Sequence, residues 1–494
     1  MEQRPLAGLE PACVFRFFEE ICAIPHGSRN TKTISDYLVR FAQERGLRFR
    51  QDEWNNVVIF QPGTPGYEDH PPVILQGHMD MVCEKEPDCP IDFEHDGLDL
   101  THDGTDIFAR GTTLGGDDGV AVAYALALLD SKEIPHPPLE VIITVDEEIG
   151  MLGAAAMDLS DLRGRTMVNL DSEDEGILTV SCAGGATAFI DLPLNRRPVY
   201  GPCVEILVDG LQGGHSGVEI HKNRANANQV MGELLVRIQE KMPVCIVSLA
   251  GGSKDNAIPR SCRGNLVAMG LELSVLQELA DTVAAETKCR CSDPDLTITL
   301  REVEALGGLA MSTDDSKKVA ALLQAVPNGV QAMSSDIEGL VQTSLNLGIA
   351  QVEEDHLHLT FSVRSSVNGE KEALLQRLRD IAGEFGGSYS QMGEYPAWEY
   401  RKDSPLRELM VEVYREMFGS EPQVVAIHAG LECGLLGDKL PGLDCGSCGS
   451  PSCQALAEDI VLGYATEMDC LVLLKERLRQ MAHQMVEMSE TTRK

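Results

Sequence analysis

The sequence predicts an α/β fold in which a domain with a mixed β-sheet is interrupted by an inserted α+β domain. Up to residue 185, short apolar strands alternate with helical segments, a rhythm typical of a mixed or parallel sheet. Over residues 186–396 strands dominate, and helices with Gly-rich loops return over residues 397–494. A chain of 494 residues with 43% hydrophobic residues can fill two cores. We therefore expect residues 1–185 and 397–494 to form one domain and residues 186–396 the other.

The first domain shows alternating strand and helix patterns. Apolar side chains recur at helical spacing over residues 15–46. Strands are predicted in NNVVIF, PPVILQG, LEVIITV and TMVNL, and an apolar helix begins at the Gly-rich turn of GGDDGVAVAYALALLDS. Ligands bind such sheets at the carboxyl ends of the strands. Polar residues that directly follow these strands are therefore the first candidates for a site.

The inserted domain is predicted to be richer in strands. The strands are FIDLPLN, VEILVDG, CIVSLAG, LTITLREV and HLHLTFSVRSS, and the helices are KNRANANQVMGELLVRIQEK and EKEALLQRLRDIAGEF. After the insertion, helices are predicted in LRELMVEVYREMF and in the closing segment MDCLVLLKERLRQMAHQMVEM.

Composition excludes several classes of partner. With 41 basic and 77 acidic side chains, the formal net charge is −36, which repels nucleic-acid phosphates and anionic lipids. The first residues show no export signal, and no stretch approaches the ~20 apolar residues of a membrane helix. Fifteen dispersed cysteines fit reduced thiols better than a disulfide framework. We expect a cytoplasmic protein that binds neither nucleic acid nor membranes.

His78 and Asp80 lie two residues apart at the end of the strand in LQGHMDMV, so their side chains leave it on the same face. A carboxylate beside an imidazole fixes the tautomer of the ring and raises its basicity toward a metal ion. Polar residues that merely face solvent at a strand end would give the same pattern. The pair alone leaves both interpretations open.

Acidic residues follow at three further positions. Asp117 and Asp118 lie where LGGDDG enters a helix, and we expect one of them to cap the helix N-terminus while the other faces a ligand. VIITVDEEIG places three acids, Asp146–Glu148, directly after an apolar strand. There they repel one another unless a cation or solvent screens them, and we favour the cation. VNLDSEDEG places Asp171 at another strand end.

Together these motifs indicate a metal site more strongly than any one of them alone, because successive strands and helices place His, Asp and Glu at one edge of the predicted sheet. This mixture of ligands suits zinc or a similar divalent ion. Two ions about 3.5–4 Å apart could share a carboxylate, activate a water between them and leave one acid uncoordinated as general base. The sequence therefore predicts a two-metal site.

Seven motifs spread over most of the chain resemble those of the zinc-dependent M20 metallopeptidases, and in particular of the aminoacyl-histidine dipeptidases. They are LQGHMDMV, LGGDDGVAVAYALALL, TVDEEIGMLGA, NLDSEDEG, GGHSGVEIH, NAIPR and HAGLECG. The resemblance implies a catalytic domain with an inserted lid domain, hydrolysis of Xaa-His and related dipeptides, and a homodimer. It also implies two divalent ions, which would be zinc, cobalt or manganese.

The resemblance also implies roles for individual residues. At the sheet edge these are first-metal ligands (His78, Asp171), a second-metal ligand (Glu148), a bridging ligand (Asp117), the general base (Glu147) and a carboxylate that orients the first histidine (Asp80). In the lid they are an oxyanion donor acting in the same or a neighbouring subunit (His215) and groups that hold the substrate carboxylate and backbone (Asn256, Arg260, Arg364). A cation on the strand surface is the alternative for Arg364.

The motif HAGLECG contributes two more residues. The resemblance implies that His428 lines the substrate pocket, with metal ligation as the alternative, and that Glu432 meets a substrate ammonium.

The segment DCGSCGSPSCQALAED, residues 444–459, departs from the family pattern. Family members supply a last metal-ligating histidine here, whereas this chain has Leu456 or Gln454 at that position and no histidine between His428 and His483. We hypothesise that Cys453 takes its place, since a thiolate binds zinc well. The alternatives are one tightly bound ion with weak hydrolysis, and a degenerate protein that binds peptide or metal without turnover.

The same segment also contains a CxxC pair, Cys445 and Cys448. A redox role is disfavoured, because the pair lies in a Gly/Ser loop without the strand-to-helix context of a thioredoxin-like motif. A separate structural zinc site would need a fourth ligand, and the segment offers none.

Overall fold

The computed structural model describes residues 4–172, 174–268, 272–303 and 309–440. The chain separates into two compact units. Among the described residues, unit 1 holds those up to Val180, Arg401–Val425 and Leu431–Leu440, and unit 2 holds Ser181–Tyr400 and Ala426–Gly430. The segment Ala426–Gly430 groups with unit 2 because the Ala183 N–H hydrogen-bonds the carbonyl oxygens of residues 427 and 429.

The first part of unit 1 alternates strands and helices. Its elements are α1 (Ala12–Cys22), α2 (Lys32–Glu44), β1 (Arg48–Gln51), β2 (Val57–Gln61), β3 (Val73–His78), β4 (Leu100–His102), β5 (Ile107–Ala109), α3 (Gly116–Asp130), β6 (Leu139–Thr144), α4 (Leu152–Ala156), β7 (Thr166–Asn169) and β8 (Ile177–Cys182).

Unit 2 follows with longer strands. Its elements are β9 (Gly184–Pro193), β10 (Arg196–Pro198), β11 (Cys203–Asp209), β12 (Gly214–His215), α5 (Ala227–Lys241), β13 (Val244–Gly251), β14 (Ala257–Ile258), β15 (Cys262–Ala268), α6 (Leu273–Arg290), β16 (Thr297–Val303), β17 (Leu309–Met311), α7 (Thr313–Ala325), β18 (Gly329–Met333), β19 (Val341–Val352), β20 (His356–Ser365), α8 (Asn368–Phe385) and β21 (Ser388–Tyr395). The chain then continues through α9 (Pro405–Phe418), β22 (Gln423–Ile427) and α10 (Glu432–Lys439).

The main sheet of unit 1 has the strand order β1-β2-β6-β3-β7. β3 runs parallel to β6 and β7, whereas β2 is antiparallel to β1 and β6, which confirms the predicted mixed sheet. Alternate side chains of β2 divide between two cores: Val57 and Ile59 pack with α1, α2 and α3, and Val58 packs with α4 and α10. Because β3, β6 and β7 are parallel, the residues that follow them emerge at one edge.

The large sheet of unit 2 is antiparallel. Its order is β16-β11-β15-β13-β19-β20-β9-β21, and β18 pairs with β19. Alternate side chains of β9 and β20, such as Ile190 and Leu359, share one core with helices α5 to α8. The intervening residues of these two strands lie on the opposite face of the sheet. No helix of the described part of the chain is long and apolar enough to cross a membrane.

The structure also adds elements that the sequence pattern does not predict. The helical pattern over residues 15–46 divides into α1 and α2, with a loop between them. The helices α6 and α7 are additional, and the apolar side chains of α6 are weakly segregated to one side. The closing helix predicted from Met468 lies outside the described residues.

Candidate metal centre

His78 is the buried centre of the candidate site. Its Nδ1 lies 3.4 Å from Oδ1 of Asp80 and 3.0 Å from the Asp80 carbonyl oxygen. Asp80 accepts hydrogen bonds from the Ser28 hydroxyl (2.8 Å) and the Glu147 N–H (3.1 Å). The other ring nitrogen, Nε2, lies 3.1 Å from Oδ1 of Asp117. His78 is thus oriented by one carboxylate and aimed at another, which is the arrangement of a metal-binding histidine.

The adjacent residues Asp117 and Asp118 have different surroundings. Asp117 is exposed, whereas Asp118 is buried and accepts a hydrogen bond from the His78 N–H at 3.1 Å. Gly77 permits this approach, because a Cβ there would lie 2.5 Å from Oδ2 of Asp118. The predicted capping role is wrong: the N-cap of α3 is Gly115, and no side chain caps the helix. Its φ and ψ angles at both aspartates are not helical, so the carboxylates turn away from the helix N–H groups.

The three acids after β6 also divide into two roles. Asp146 is buried, with a left-handed φ of 55°, and accepts a hydrogen bond from the Arg29 N–H at 2.6 Å. Asp146 therefore connects the turn after β6 to the loop between α1 and α2. Glu147 and Glu148 are only partly buried and lie beside the His78 cluster, whose charges act on both.

Around His78 the described residues provide two groups of donors that could each hold a metal ion, and the two groups share that histidine. One joins His78 with Asp118 and Asp171, and the other joins it with Asp117 and Glu148. Within each group the donor atoms lie within 4.8 Å of one another. The structure therefore brings together His78, Asp117, Glu148 and Asp171, and it adds Asp118 to them; the individual ligand roles, including the bridging role of Asp117, stay predictions.

The electrostatics of the cluster fit divalent cations. Burial raises the pKa of Asp118 to about 8 and that of Glu147 to about 7. Burial alone would lower the pKa of His78, but its hydrogen bonds with Asp117 and Asp80 raise it to about 12. The cluster thus retains protons where a divalent ion would neutralise the carboxylates instead. Oxygen donors with one imidazole suit zinc, manganese or cobalt.

Glu432 lies behind this cluster and is fully buried. Its carboxyl accepts hydrogen bonds from the Thr144 hydroxyl at 2.6 Å and from the Gln76 amide. Burial raises the pKa of Glu432 to about 8, so the group is largely neutral at neutral pH. This geometry does not support the predicted contact between Glu432 and a substrate ammonium.

In unit 2, His215 is held in one tautomer by the backbone. Its Nδ1 accepts hydrogen bonds from the N–H groups of Gly217 (3.2 Å) and Val218 (3.3 Å), so in the neutral ring the proton is on Nε2. Burial, aided by the charge of Arg364, lowers the pKa of His215. His215 therefore offers an Nε2–H donor without carrying a full charge.

His428 is a second histidine of unit 2 whose pKa is affected by Arg364. Burial and then the charge of Arg364 lower the pKa of His428 to about 4. Nε2 of His428 lies 2.7 Å from the Ser344 hydroxyl, and Ser344 is the strand partner of Arg364. Arg364 itself donates to the Tyr395 hydroxyl at 3.3 Å. His428 belongs to neither of the two donor groups around His78.

Asn256 and Arg260 lie on either side of β14, the strand that pairs with β12 and its His215. The Asn256 carbonyl oxygen accepts a hydrogen bond from the Ser216 N–H at 2.9 Å, and β12 pairs with β14 beside it. Arg260 is exposed and donates through Nε to the Leu211 carbonyl at 3.2 Å. Unit 2 thus collects imidazoles, an amide and two guanidinium groups.

Comparison with known proteins identifies the family. The cytosol non-specific dipeptidase of Escherichia coli (strain K12) is 34% identical over 447 residues, which are 90% of this chain and 92% of that protein. The chain belongs to the M20 peptidase family. The crystal structure of aminoacylhistidine dipeptidase from Vibrio alginolyticus matches this peptidase with a TM-score of 0.83 at 36% identity, covering 89% of this chain and 90% of that one. A family profile described as a peptidase dimerisation domain matches residues 208–288. The predicted family is confirmed.

A second profile, described as a putative Fe-S cluster, matches residues 440–472 of the peptidase. This segment contains four cysteines with the spacing C-x2-C-x4-C-x16-C: Cys445, Cys448, Cys453 and Cys470. Cys470 lies outside the segment 444–459 that contains the first three cysteines, so that segment alone does not reveal a fourth ligand. The predicted metal ligand Cys453 lies outside the described residues, and so do Gln454, Leu456 and His483.

Sequence reasoning missed three other features of the site. The inward position of Asp118 has a signal in Gly77, since a glycine at a strand end indicates the close approach of another group. Ser28, which fixes Asp80, lies in the loop between α1 and α2. Glu432 belongs to a predicted motif, but its partners lie more than 280 residues away in sequence.

Proposed function

We propose that this M20 peptidase hydrolyses dipeptides, including those with a C-terminal histidine, with the aid of two divalent metal ions. Zinc is the ion that we favour. The observation that carries the proposal is the pair of donor groups that share His78, with Glu147 beside them. His78 and Asp171, joined by Asp118, would hold one ion, and Asp117 and Glu148 the other.

Divalent ions held by these residues would supply Lewis acidity toward the peptide carbonyl and the attacking water. Glu147 is the general base. Its pKa is raised toward neutrality by burial, so it can take a proton from water and return it to the leaving amine. Asp80 keeps His78 in one orientation while this proton moves.

The groups of unit 2 suit the negative charges of such a reaction. The Nε2–H of His215 is a donor for the oxyanion that forms during hydrolysis. Arg364 and Arg260 carry forked donors that match a free carboxylate, and Asn256 adds an amide. His428, neutral because its pKa is lowered to about 4, lines the pocket for the substrate.

The relatives guide the choice of substrate and setting. One is named a non-specific dipeptidase and the other an aminoacylhistidine dipeptidase, so we infer that histidine is accepted without being required. Their similarity to this chain does not favour a degenerate protein without turnover. The dimerisation profile supports a homodimer. The cytosolic relative and the dispersed cysteines support a cytoplasmic location.

A panel of dipeptides tests the proposal. The purified protein is stripped of divalent metal, reloaded with zinc, manganese or cobalt, and assayed on dipeptides with and without C-terminal histidine. We expect metal-dependent release of amino acids, and weaker hydrolysis when the C-terminal carboxylate is amidated. Absence of hydrolysis for every dipeptide and metal would refute the proposed activity.

A second candidate function rests on the cysteine segment. We propose that Cys445, Cys448, Cys453 and Cys470 bind an iron–sulfur cluster, supported by the profile match and by the presence of four cysteines within it. Four thiolates are the usual ligands of such clusters. This assignment competes with the hypothesis that Cys453 completes the second metal site, since one thiolate cannot serve both.

Anaerobic purification separates these two hypotheses for Cys453. A cluster predicts iron and acid-labile sulfide in the protein, both lost in Cys470→Ser and in Cys453→Ser. Ligation at the catalytic centre predicts instead that only Cys453→Ser lowers zinc content and dipeptidase activity. Protein without iron or sulfide, even after reconstitution, would refute the cluster.

A further inference from the structure

Unit 2 contains a further group of side chains that could hold a metal ion, and none of them belongs to the two donor groups around His78. It consists of Asp191 on β9 and of His356 and His358 on β20. Asp191 and His358 are direct strand partners, and His356 lies two residues away on the same face. We propose that these three side chains form a binding site for a divalent metal ion of the zinc, nickel and copper class.

The two imidazole rings are both turned toward Asp191. Nδ1 of His358 lies 2.6 Å from Oδ1 of Asp191, and Nε2 of His356 lies 3.6 Å from the same oxygen. A zinc ion bonded to nitrogen and oxygen at about 2.0–2.2 Å in a tetrahedron places its ligand atoms about 3.3 Å apart. The two observed separations lie on either side of this value, so small rotations of the side chains complete the geometry.

The remote nitrogen of each ring has its own oxygen partner. Nε2 of His358 lies 3.1 Å from the Thr360 hydroxyl, and Nδ1 of His356 lies 2.7 Å from Oδ1 of Asp355. Metal-bound histidines usually donate their other N–H to such an oxygen, which fixes the tautomer. The nitrogens that face Asp191 are Nδ1 of His358 and Nε2 of His356. Because the other nitrogen of each ring can keep its N–H, these two nitrogens are available to bind a cation.

The strands make this arrangement rigid. The ring of His358 stacks on Phe189 with centroids 5.6 Å apart, and β20 is paired with β9 along ten residues. His356, His358 and Asp191 are each about one-third exposed, at 34%, 31% and 37%. Solvent can therefore reach the site, and water can supply the fourth ligand of a three-residue centre.

The donor set defines the class of ion. Two imidazoles and one carboxylate bind Zn²⁺, Ni²⁺ and Cu²⁺ much better than Mg²⁺ or Ca²⁺, which prefer oxygen donors. Each donor group around His78 contains a single imidazole. Two imidazole nitrogens on one ion thus distinguish the new site from the catalytic centre among the described residues.

The test uses the full-length protein and two matched variants. His356 and His358 are both changed to Asn in one variant, and the exposed His102 of unit 1 is changed to Asn in the other. After equilibration with Zn²⁺ and removal of free metal, we expect the double variant to hold one zinc fewer per chain than the wild type and His102→Asn. Equal zinc content in all three folded proteins would overturn the proposal.

Cu²⁺ and Thr360→Val give independent readouts. Electron paramagnetic resonance of Cu²⁺ added at one equivalent should show two coordinated nitrogens in the wild type, and this signature should disappear in the double variant. Thr360→Val keeps all three ligands but removes the partner of Nε2, so the affinity should fall about 10–100-fold. A signature unchanged in the double variant, or an affinity unchanged in Thr360→Val, would contradict the site.

Discussion

The site histidines of the two units, His78 in unit 1 and His215 and His428 in unit 2, lie in opposite electrostatic environments. In unit 1, His78 is surrounded by carboxylates, and its hydrogen bonds with Asp117 and Asp80 raise its pKa although burial opposes this. In unit 2, His215 and His428 are near Arg364, and burial together with that positive charge lowers the pKa of both rings. In metal-free protein His78 thus keeps its proton, whereas His215 and His428 are neutral donors.

This difference indicates that the residues of unit 1 suit cations and those of unit 2 suit anions. A cluster that raises the pKa of its acids and imidazole attracts cations, so unit 1 suits metal ions and the proton transfer that they assist. A cluster with arginine and neutral imidazoles suits anions, such as a carboxylate or a developing oxyanion. Peptide hydrolysis needs both, and three substitutions or conditions test the two halves separately.

The largest effect is expected for Glu147→Gln. The amide keeps the shape of the side chain but cannot accept the proton of water, so kcat should fall about 10²–10⁴-fold. The metal content should stay the same, because Glu147 belongs to neither donor group. Steady-state kinetics and elemental analysis measure the two quantities.

Glu133→Gln is the matched control for this substitution, since Glu133 is an exposed glutamate of the same unit. Its activity should equal that of the wild type. If Glu147→Gln retained wild-type kcat, or lost metal in proportion to activity, Glu147 would not be the base.

The edge of the sheet could be predicted from the sequence because the parallel strands carry their own signal. His78 ends an apolar strand, and Glu147 and Asp171 closely follow two others. Because these strands are parallel, the alternation of strands and helices is enough to predict that the three residues meet at one edge. The roles within the edge depend on more. Gly77 signals that another group approaches the strand end, but which of Asp117 and Asp118 turns inward is decided by local backbone angles.

Long-range contacts set the other limit of prediction from sequence. The burial of Glu432 depends on Gln76, 356 residues away, and on Thr144. The match of Asp191 with His358 depends on the register of two strands separated by 167 residues. Neither contact can be predicted from the sequence, because each depends on how distant segments pack in the folded chain. Strand register, in particular, is set by turns and core packing together.

The second-largest effect is expected for His215→Ala. Loss of one donor to an oxyanion costs about 10²–10³-fold in kcat, with little change in KM or metal content. His221→Ala, at an exposed histidine six residues further along, is the control and should remain active. Unchanged kcat in His215→Ala would contradict the donor role.

A mixture of the two inactive variants sharpens this result. If His215 acts in the partner subunit's site, dimers formed from Glu147→Gln and His215→Ala chains regain part of the activity. If it acts within its own chain, the mixture stays inactive.

The smallest effect is a change of stability with pH in metal-free protein. The pKa values of Asp118 and Glu432, about 8, and of Glu147, about 7, all lie above those of unfolded carboxyls. Between pH 5 and 8 the folded chain therefore binds more protons than the unfolded chain, so its free energy of unfolding falls as the pH rises. His78, with a pKa raised to about 12, adds a fall of the same sign above pH 6.5.

We expect the melting temperature of metal-free protein to drop on the order of 5 °C over this range, and bound divalent ions to remove most of the drop because they replace the protons. Glu432→Gln should reduce the drop without changing metal content, since Glu432 is outside both donor groups. Thermal unfolding at several pH values, with and without zinc, measures this. A melting temperature that rises between pH 5 and 8 in metal-free protein would show that the carboxylates of unit 1 are not held in their protonated form.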